Sequence, residues 1–146
     1  MSREIINDGE SGLLVRTKLN ANYAELYSFY DEVLQDEAQT VGGVTVTALT
    51  IPVPLGESIA ITFEVYGISI NDNDECFARY MTGFRNVAGV VTRIDNSVDE
   101  IGRISDDPGV GGDADVAGTD GVLQVIGRAG ETYDWKVTAG ILRFVP

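Results

Sequence analysis

A chain of 146 residues, 44% of them apolar, can bury one core, and its length fits a single domain with an appendage. Its formal net charge of −13, with ten basic residues scattered singly, argues against nucleic acid and anionic membrane as partners, because both require clustered Lys and Arg. There is no histidine, so the commonest general base is missing; no other nucleophile–base pair is evident, and the expectation is a protein that is not an enzyme.

The opening "MSREIINDGE" has neither a basic n-region nor an apolar h-region, which predicts synthesis in the cytoplasm without export. No apolar run is long enough to cross a bilayer, so no membrane insertion is expected. Asn7, Asp8 and Gly9 mark a turn, and Ser11 is placed to cap a helix starting near Leu13. Apolar side chains then recur at Leu19, Tyr23, Leu26, Tyr30 and Val33, in steps of 4, 3, 4 and 3, the rhythm of a coiled-coil seam. Lys18, Asn22, Glu25, Asp31 and Glu32 fill the other face. The helix is predicted to fade near Asp36, where acidic residues oppose the negative end of the dipole.

Two heptads do not make a stable isolated coil, so this stripe must be buried on something. Two readings are open: an ordinary amphipathic helix packed on its own domain, or a short stalk that meets copies of itself or another protein. On the second reading Leu19, Tyr23, Leu26, Tyr30 and Val33 are the oligomerisation and attachment residues. Tyrosines suit it, since their rings give contact area and their hydroxyls a polar tip.

After "QTVGG" the period changes from 3.6 to 2, which sets a domain boundary near residue 40: residues 1–40 a helical segment, residues 41–146 a β domain. "VTVTALTIPVP" predicts a strand that its two prolines push to an edge. "ESIAITFEVYGISI" alternates most clearly, "CFARYMTGFRN" alternates again, and "VAGVVTRI" follows across a hairpin. Residues 95–121 read mainly as an acidic, Gly-rich loop with one short strand near Ile101–Ser105. A strand, a turn at "GRAG", a strand carrying Tyr133, Trp135 and Val137, and a final strand complete the chain. Six to eight short strands at this spacing predict a mainly β fold: an antiparallel β-sandwich, jelly-roll-like, behind one N-terminal helix.

The candidate sites are few. The turn "NDNDE" places oxygen ligands at alternate positions, and Asp72, Asp74 and Glu75 are weak candidates for a calcium site. The turn lacks the glycine and distal glutamate of a helix–loop–helix calcium motif, and a solvated hairpin tip is the plainer reading; no cofactor is expected. Asp106, Asp107, Asp113, Asp115 and Asp120 share the composition of a calcium loop but no spacing. Trp135 and Tyr80, with Tyr133 and Phe84, can be read as an aromatic platform for a sugar, or more simply as core. Cys76 stands alone in an alternating strand, which suits a small buried hydrophobe.

"INDGESGLLVRTKLNANYAELYS" resembles the opening segment of many tailed-bacteriophage virion proteins, through Gly9, Gly12, Lys18, Leu19, Asn20, Asn22, Tyr23, Glu25, Leu26 and Tyr27. "FARYMTGFRNVAGVVTRI" and "GETYDWKVTAG" are similar in style to small β-sandwich modules of phage fibre, spike and decoration proteins. The resemblance implies a structural subunit of the virion, made in the host cytoplasm. It implies attachment to other virion proteins through the N-terminal segment, and self-association, often as a homotrimer. The alternative it leaves open is a receptor-binding or carbohydrate-binding module at a tail or fibre tip.

Overall fold

The computed structural model describes residues 29–95 and 98–146. Nine strands make up the described fold: β1 (Glu32–Val41), β2 (Thr45–Pro52), β3 (Ser58–Ser69), β4 (Glu75–Val87), β5 (Val90–Arg93), β6 (Asp99–Ser105), β7 (Gly111–Ala117), β8 (Asp120–Ile126) and β9 (Thr132–Phe144). Every pairing is antiparallel. The larger sheet runs β1-β9-β3-β4, with β5 and β6 both on the far edge of β4; the smaller runs β2-β8-β7.

One hydrophobic core takes side chains from both sheets. Alternation built it: Ile59, Ile61, Phe63 and Val65 of β3 point inward, as do Cys76, Ala78 and Tyr80 of β4 and Tyr133, Trp135, Val137, Ala139 and Ile141 of β9. Ile51, Leu123, Val125 and Ala114 of the smaller sheet are buried in the same cluster. The β4–β5 hairpin turns on Ala88 and Gly89, with φ of 54° and 88°, the positive values that a two-residue hairpin requires.

The mainly β, antiparallel expectation holds, while six strands facing three depart from an eight-stranded jelly roll. The extra strand is β1, and here the helix reading is corrected. Residues 13–28, with Leu19, Tyr23 and Leu26, lie outside the described residues, but Glu32–Asp36, expected to be the helix end, are strand. Leu34, Ala38 and Thr40 share one face at a period of two, and β1 pairs residue for residue with β9 from Glu32↔Ile141 to Val41↔Thr132. β1 therefore crosses the boundary expected near residue 40. Val33 lies opposite Gly140, and Tyr30, in the turn before β1, lays its ring over the same glycine. A β-carbon there would stand 2.6 Å from Tyr30 ring carbons.

Candidate functional site

The aromatic residues proposed as a sugar platform are enclosed. Trp135 is 1% exposed; its Nε1–H donates to Thr40 Oγ1 (3.0 Å) and its ring stacks on Tyr133 at 5.4 Å. Tyr80 is 4% exposed, stacks on Phe63, and its hydroxyl accepts from Gly112 N–H (2.9 Å) and Arg103 Nη2 (3.0 Å). Burial pushes the Tyr80 phenol up, with the Gly112 N–H opposing it. Phe84 is fully buried. Cys76 is a free, buried thiol, raised chiefly by burial, which suits packing better than nucleophilic work.

What the larger sheet shows to solvent is different. Across β3, β4 and β6 the partners Tyr66↔Phe77 and Phe77↔Ile104 form one outward row, 40%, 39% and 78% exposed. Met81 of β4 and Ile101 of β6 are half-exposed beside it. A bulge at Arg79/Tyr80 brings Ile101 out of the regular pleat, and Phe77, Arg79, Ile101 and Ile104 line a shallow apolar groove. Of the acids near this face, Glu64 pairs with Arg79 and Glu100 with Arg103, while Asp99, directly opposite Met81, is exposed. Glu75 Oε1 accepts from Tyr66 Oη (3.0 Å), which raises the Tyr66 phenol. Among the described residues β6 pairs with β4 alone, so its other edge is open.

Arg103 ties this edge to the core. Its Nη1 donates to the Val110 carbonyl (2.6 Å), its Nη2 to Tyr80, and its Nε to Glu100 (2.7 Å). Arg103→Met keeps the stem and removes every donor. It is expected to destabilise the fold by about 1.5–3 kcal/mol, the range for bonds made by a charged group to buried acceptors, read as a lower urea midpoint at unchanged slope.

The acidic turn forms a second locus, where the β3–β4 turn meets the β8–β9 turn. Asp72 Oδ1 accepts from Asp74 N–H (3.2 Å), Asn71 Oδ1 from Thr132 N–H (2.8 Å), and Asn73 takes a φ of 63°. Asp72, Asp74 and Glu131 bring carboxylate oxygens within 4.8 Å of one another. Glu75, the third residue expected there, faces Tyr66 instead; Glu131 takes its place. Burial and the nearby Asp72 and Asp106 charges hold Asp74 above the usual carboxylate range. Glu131 is raised by Asp72 within hydrogen-bonding reach, then by burial. Asp72 itself is lowered, first by the Asp74 N–H. Of the second acidic group, Asp107 joins this locus through Arg128 Nη1 (3.2 Å) and Asp106 through Glu75 N–H (2.9 Å). Asp113, Asp115 and Asp120 lie apart on β7 and β8.

No protein family and no curated protein matches the chain. Among solved structures it is similar to the tailspike protein of Acinetobacter baumannii phage AM24, at 10% identity and a TM-score of 0.44, over 77% of this chain and 28% of that one. The tailspike of Acinetobacter phage vB_ApiP_P1 matches at 10% identity and 0.43, over 77% and 22%. The tailspike gp49 of Acinetobacter baumannii bacteriophage Fri1, described as a capsular polysaccharide depolymerase, matches at 13% and 0.37, over 77% and 19%. The chain thus spans less than a third of the length of each.

That depolymerase overturns one expectation. A chain without enzymatic role was read from the missing histidine, yet a structure similar to this one belongs to an enzyme, so the exclusion is withdrawn. Histidine is dispensable wherever paired carboxylates do acid–base work, which is why its absence was a weak ground. Sequence reading also missed the outward row and Glu131. The alternation of "CFARYMTGFRN" puts Phe77 and Met81 on one strand face, but which face is solvated depends on what lies over the sheet. Glu131 lies 57 residues from Asp74, beyond the reach of local spacing.

Proposed function

We propose that this chain is a β module of a bacteriophage virion protein of the tailspike or fibre type. In this reading it self-associates through the outer face of β3, β4 and β6 and is joined to the particle through its N-terminal segment. The observation that carries the reading is the outward row Tyr66–Phe77–Ile104, set beside an open strand edge. A net charge of −13 keeps copies apart, and they can meet where apolar area is shown and arginines offset part of the acid charge, as Arg79 and Arg103 do at this face. The opening motif around Lys18–Tyr27 supplies the virion context, and three copies is the number that its resemblance implies. Enclosure of Trp135 and Tyr80 favours this reading over a carbohydrate-binding tip built on those two rings.

Light scattering on the full chain tests it. The wild type is expected to be multimeric, and Phe77→Glu/Ile104→Glu to shift it to monomer with an unchanged far-UV spectrum. A wild type that is monomeric, or a double variant that stays multimeric, would refute the interface. Removing residues 1–28, which spares β1, is expected to abolish incorporation into particles; normal incorporation would refute the attachment role.

A further inference from the structure

We propose that the outer face of the larger sheet, at the end away from Tyr66, seats this chain's own residues 19–28, which cross β9, β3 and β4 as a strap. Two neighbouring cross-strand rows form the seat, Gly140–Thr62–Met81 and Leu142–Ala60–Gly83. Ile94 folds over Gly83, its Cδ1 2.8 Å from where a β-carbon would stand. Met81 and Ile94 are half-exposed and Ala60 is open, so apolar surface lies uncovered on this part of the sheet. Ala60, Met81, Gly83 and Ile94 line one groove, and Asp95 and Asp99 close its far end.

The place where the described chain begins selects the occupant. Tyr30 lays its ring over Gly140, at the β9 end of the first row, and Phe29 meets that ring edge-on at 5.5 Å. Asp31 fixes the turn below them: its N–H donates to the Ile141 carbonyl (2.9 Å), and its Oδ2 accepts from Arg143 N–H (2.7 Å). The chain before Phe29 therefore starts from this face, with one aromatic side chain already seated on it. Strands stand 4.7–4.9 Å apart, and a helix rises 1.5 Å per residue. Wound as a helix back from Tyr30, the segment would carry Leu26 about 6 Å along, to β3, and Tyr23 about 10 Å along, to β4. Leu26 and Tyr23 are the positions that share the apolar rhythm of Tyr30.

Charge agrees. Glu25 is the only acid among residues 13–28, and Arg16 and Lys18 stand at the end that would reach Asp95 and Asp99. A second copy's β domain, which carries the acid excess of the chain, suits those two aspartates less well. The seat is also separate from the interface proposed above: Met81 lies four residues along β4 from Phe77, about 13 Å away. With the strap in place, contact with the particle falls to the residues before Leu13.

Cross-linking and amide hydrogen exchange on the full chain decide the matter. Leu26→Cys/Ala60→Cys, treated with a short bismaleimide, is expected to link within one chain, since the native Cys76 is buried. Leu26→Cys/Asp115→Cys, with its second thiol on the smaller sheet, is expected to link far less. Without any new cysteine, Met81→Glu/Ile94→Glu is expected to speed amide exchange in residues 19–28 by about tenfold or more and to leave β3 and β9 unchanged. The same results are expected in the Phe77→Glu/Ile104→Glu background, so the strap and the interface stand or fall separately. No link between positions 26 and 60, a link only between two chains, an equal yield from the Asp115 pair, or exchange in residues 19–28 as fast in the wild type as in Met81→Glu/Ile94→Glu would each overturn the strap.

Discussion

Trp135→Ala is expected to destabilise the fold by about 3–5 kcal/mol, the range for deleting a large aromatic from a packed core. Three separate contacts disappear with the indole. Its ring lies flat over Gly67, the residue directly opposite it on β3, where a β-carbon would be 2.4–2.8 Å from ring atoms. It stacks on Tyr133, at an interplanar angle of 22°. Its Nε1–H is the donor to Thr40 Oγ1, and Thr40 is fully buried, so truncation leaves a hydroxyl stranded in the core. Because Gly67 contributes no side chain to collapse into the gap, the cavity closes poorly. Trp135→Phe keeps part of the ring and loses the hydrogen bond, and an intermediate loss is expected. Far-UV circular dichroism in urea measures both, since the protein's one tryptophan is the residue being removed. A loss below about 1 kcal/mol for the alanine variant would contradict the enclosure of this residue. The same enclosure predicts that wild-type tryptophan emission resists acrylamide, whereas a sugar platform would be quenched.

The difference between what was legible in the sequence and what was not follows the range of the forces involved. β3 was legible because one face is buried and the other more open, so hydropathy copies the pleat: Ile59, Ile61, Phe63 and Val65 in, Ala60, Thr62 and Glu64 out; β4 alternates as well, but its outward Phe77 and Met81 are apolar, so hydropathy does not tell its faces apart. β1 was misread because Tyr30 and Val33 satisfy a step of three as readily as they satisfy their actual place over Gly140, and only the ladder with β9, a hundred residues away, decides. β7 was read as loop for a different reason. Its Gly111 and Gly112 suggest irregular chain, yet a β-carbon on Gly112 would stand 2.8 Å from Tyr80 and 3.0 Å from Phe63. Glycine there is a steric requirement of packing under two rings, and sequence alone does not separate that from the freedom of a loop. At the acidic turn Asp72 and Asp74 were found by local spacing, whereas Glu131 is brought to them by the turn between β8 and β9.

Gly121→Ala is expected to show this steric requirement most directly, with a loss of roughly 1–3 kcal/mol, the usual range for overpacking a tight core. The new β-carbon would lie 2.6 Å from Phe84 Cδ2 and Cε2 and 3.0 Å from Cγ. Phe84 is fully buried, so its ring has no solvent-facing rotamer to retreat to, and the β8 backbone must move instead. Moving β8 disturbs both neighbours, because Gly121 pairs with Ile51 on one side and Val116 on the other. Gly102→Ala is the matched comparison: it also sits in a strand, but nothing lies within 4 Å of its β-carbon position, and a change within about 0.5 kcal/mol is expected. The clash is with one side chain, so it has a specific remedy. Phe84→Leu removes the ring carbons that the added methyl group would strike, and in that background Gly121→Ala is expected to cost much less, a coupling that a double-mutant cycle reads directly. If the two losses simply add, the penalty at Gly121 comes from the strand backbone and not from Phe84, and the packing account of these glycines would have to be abandoned.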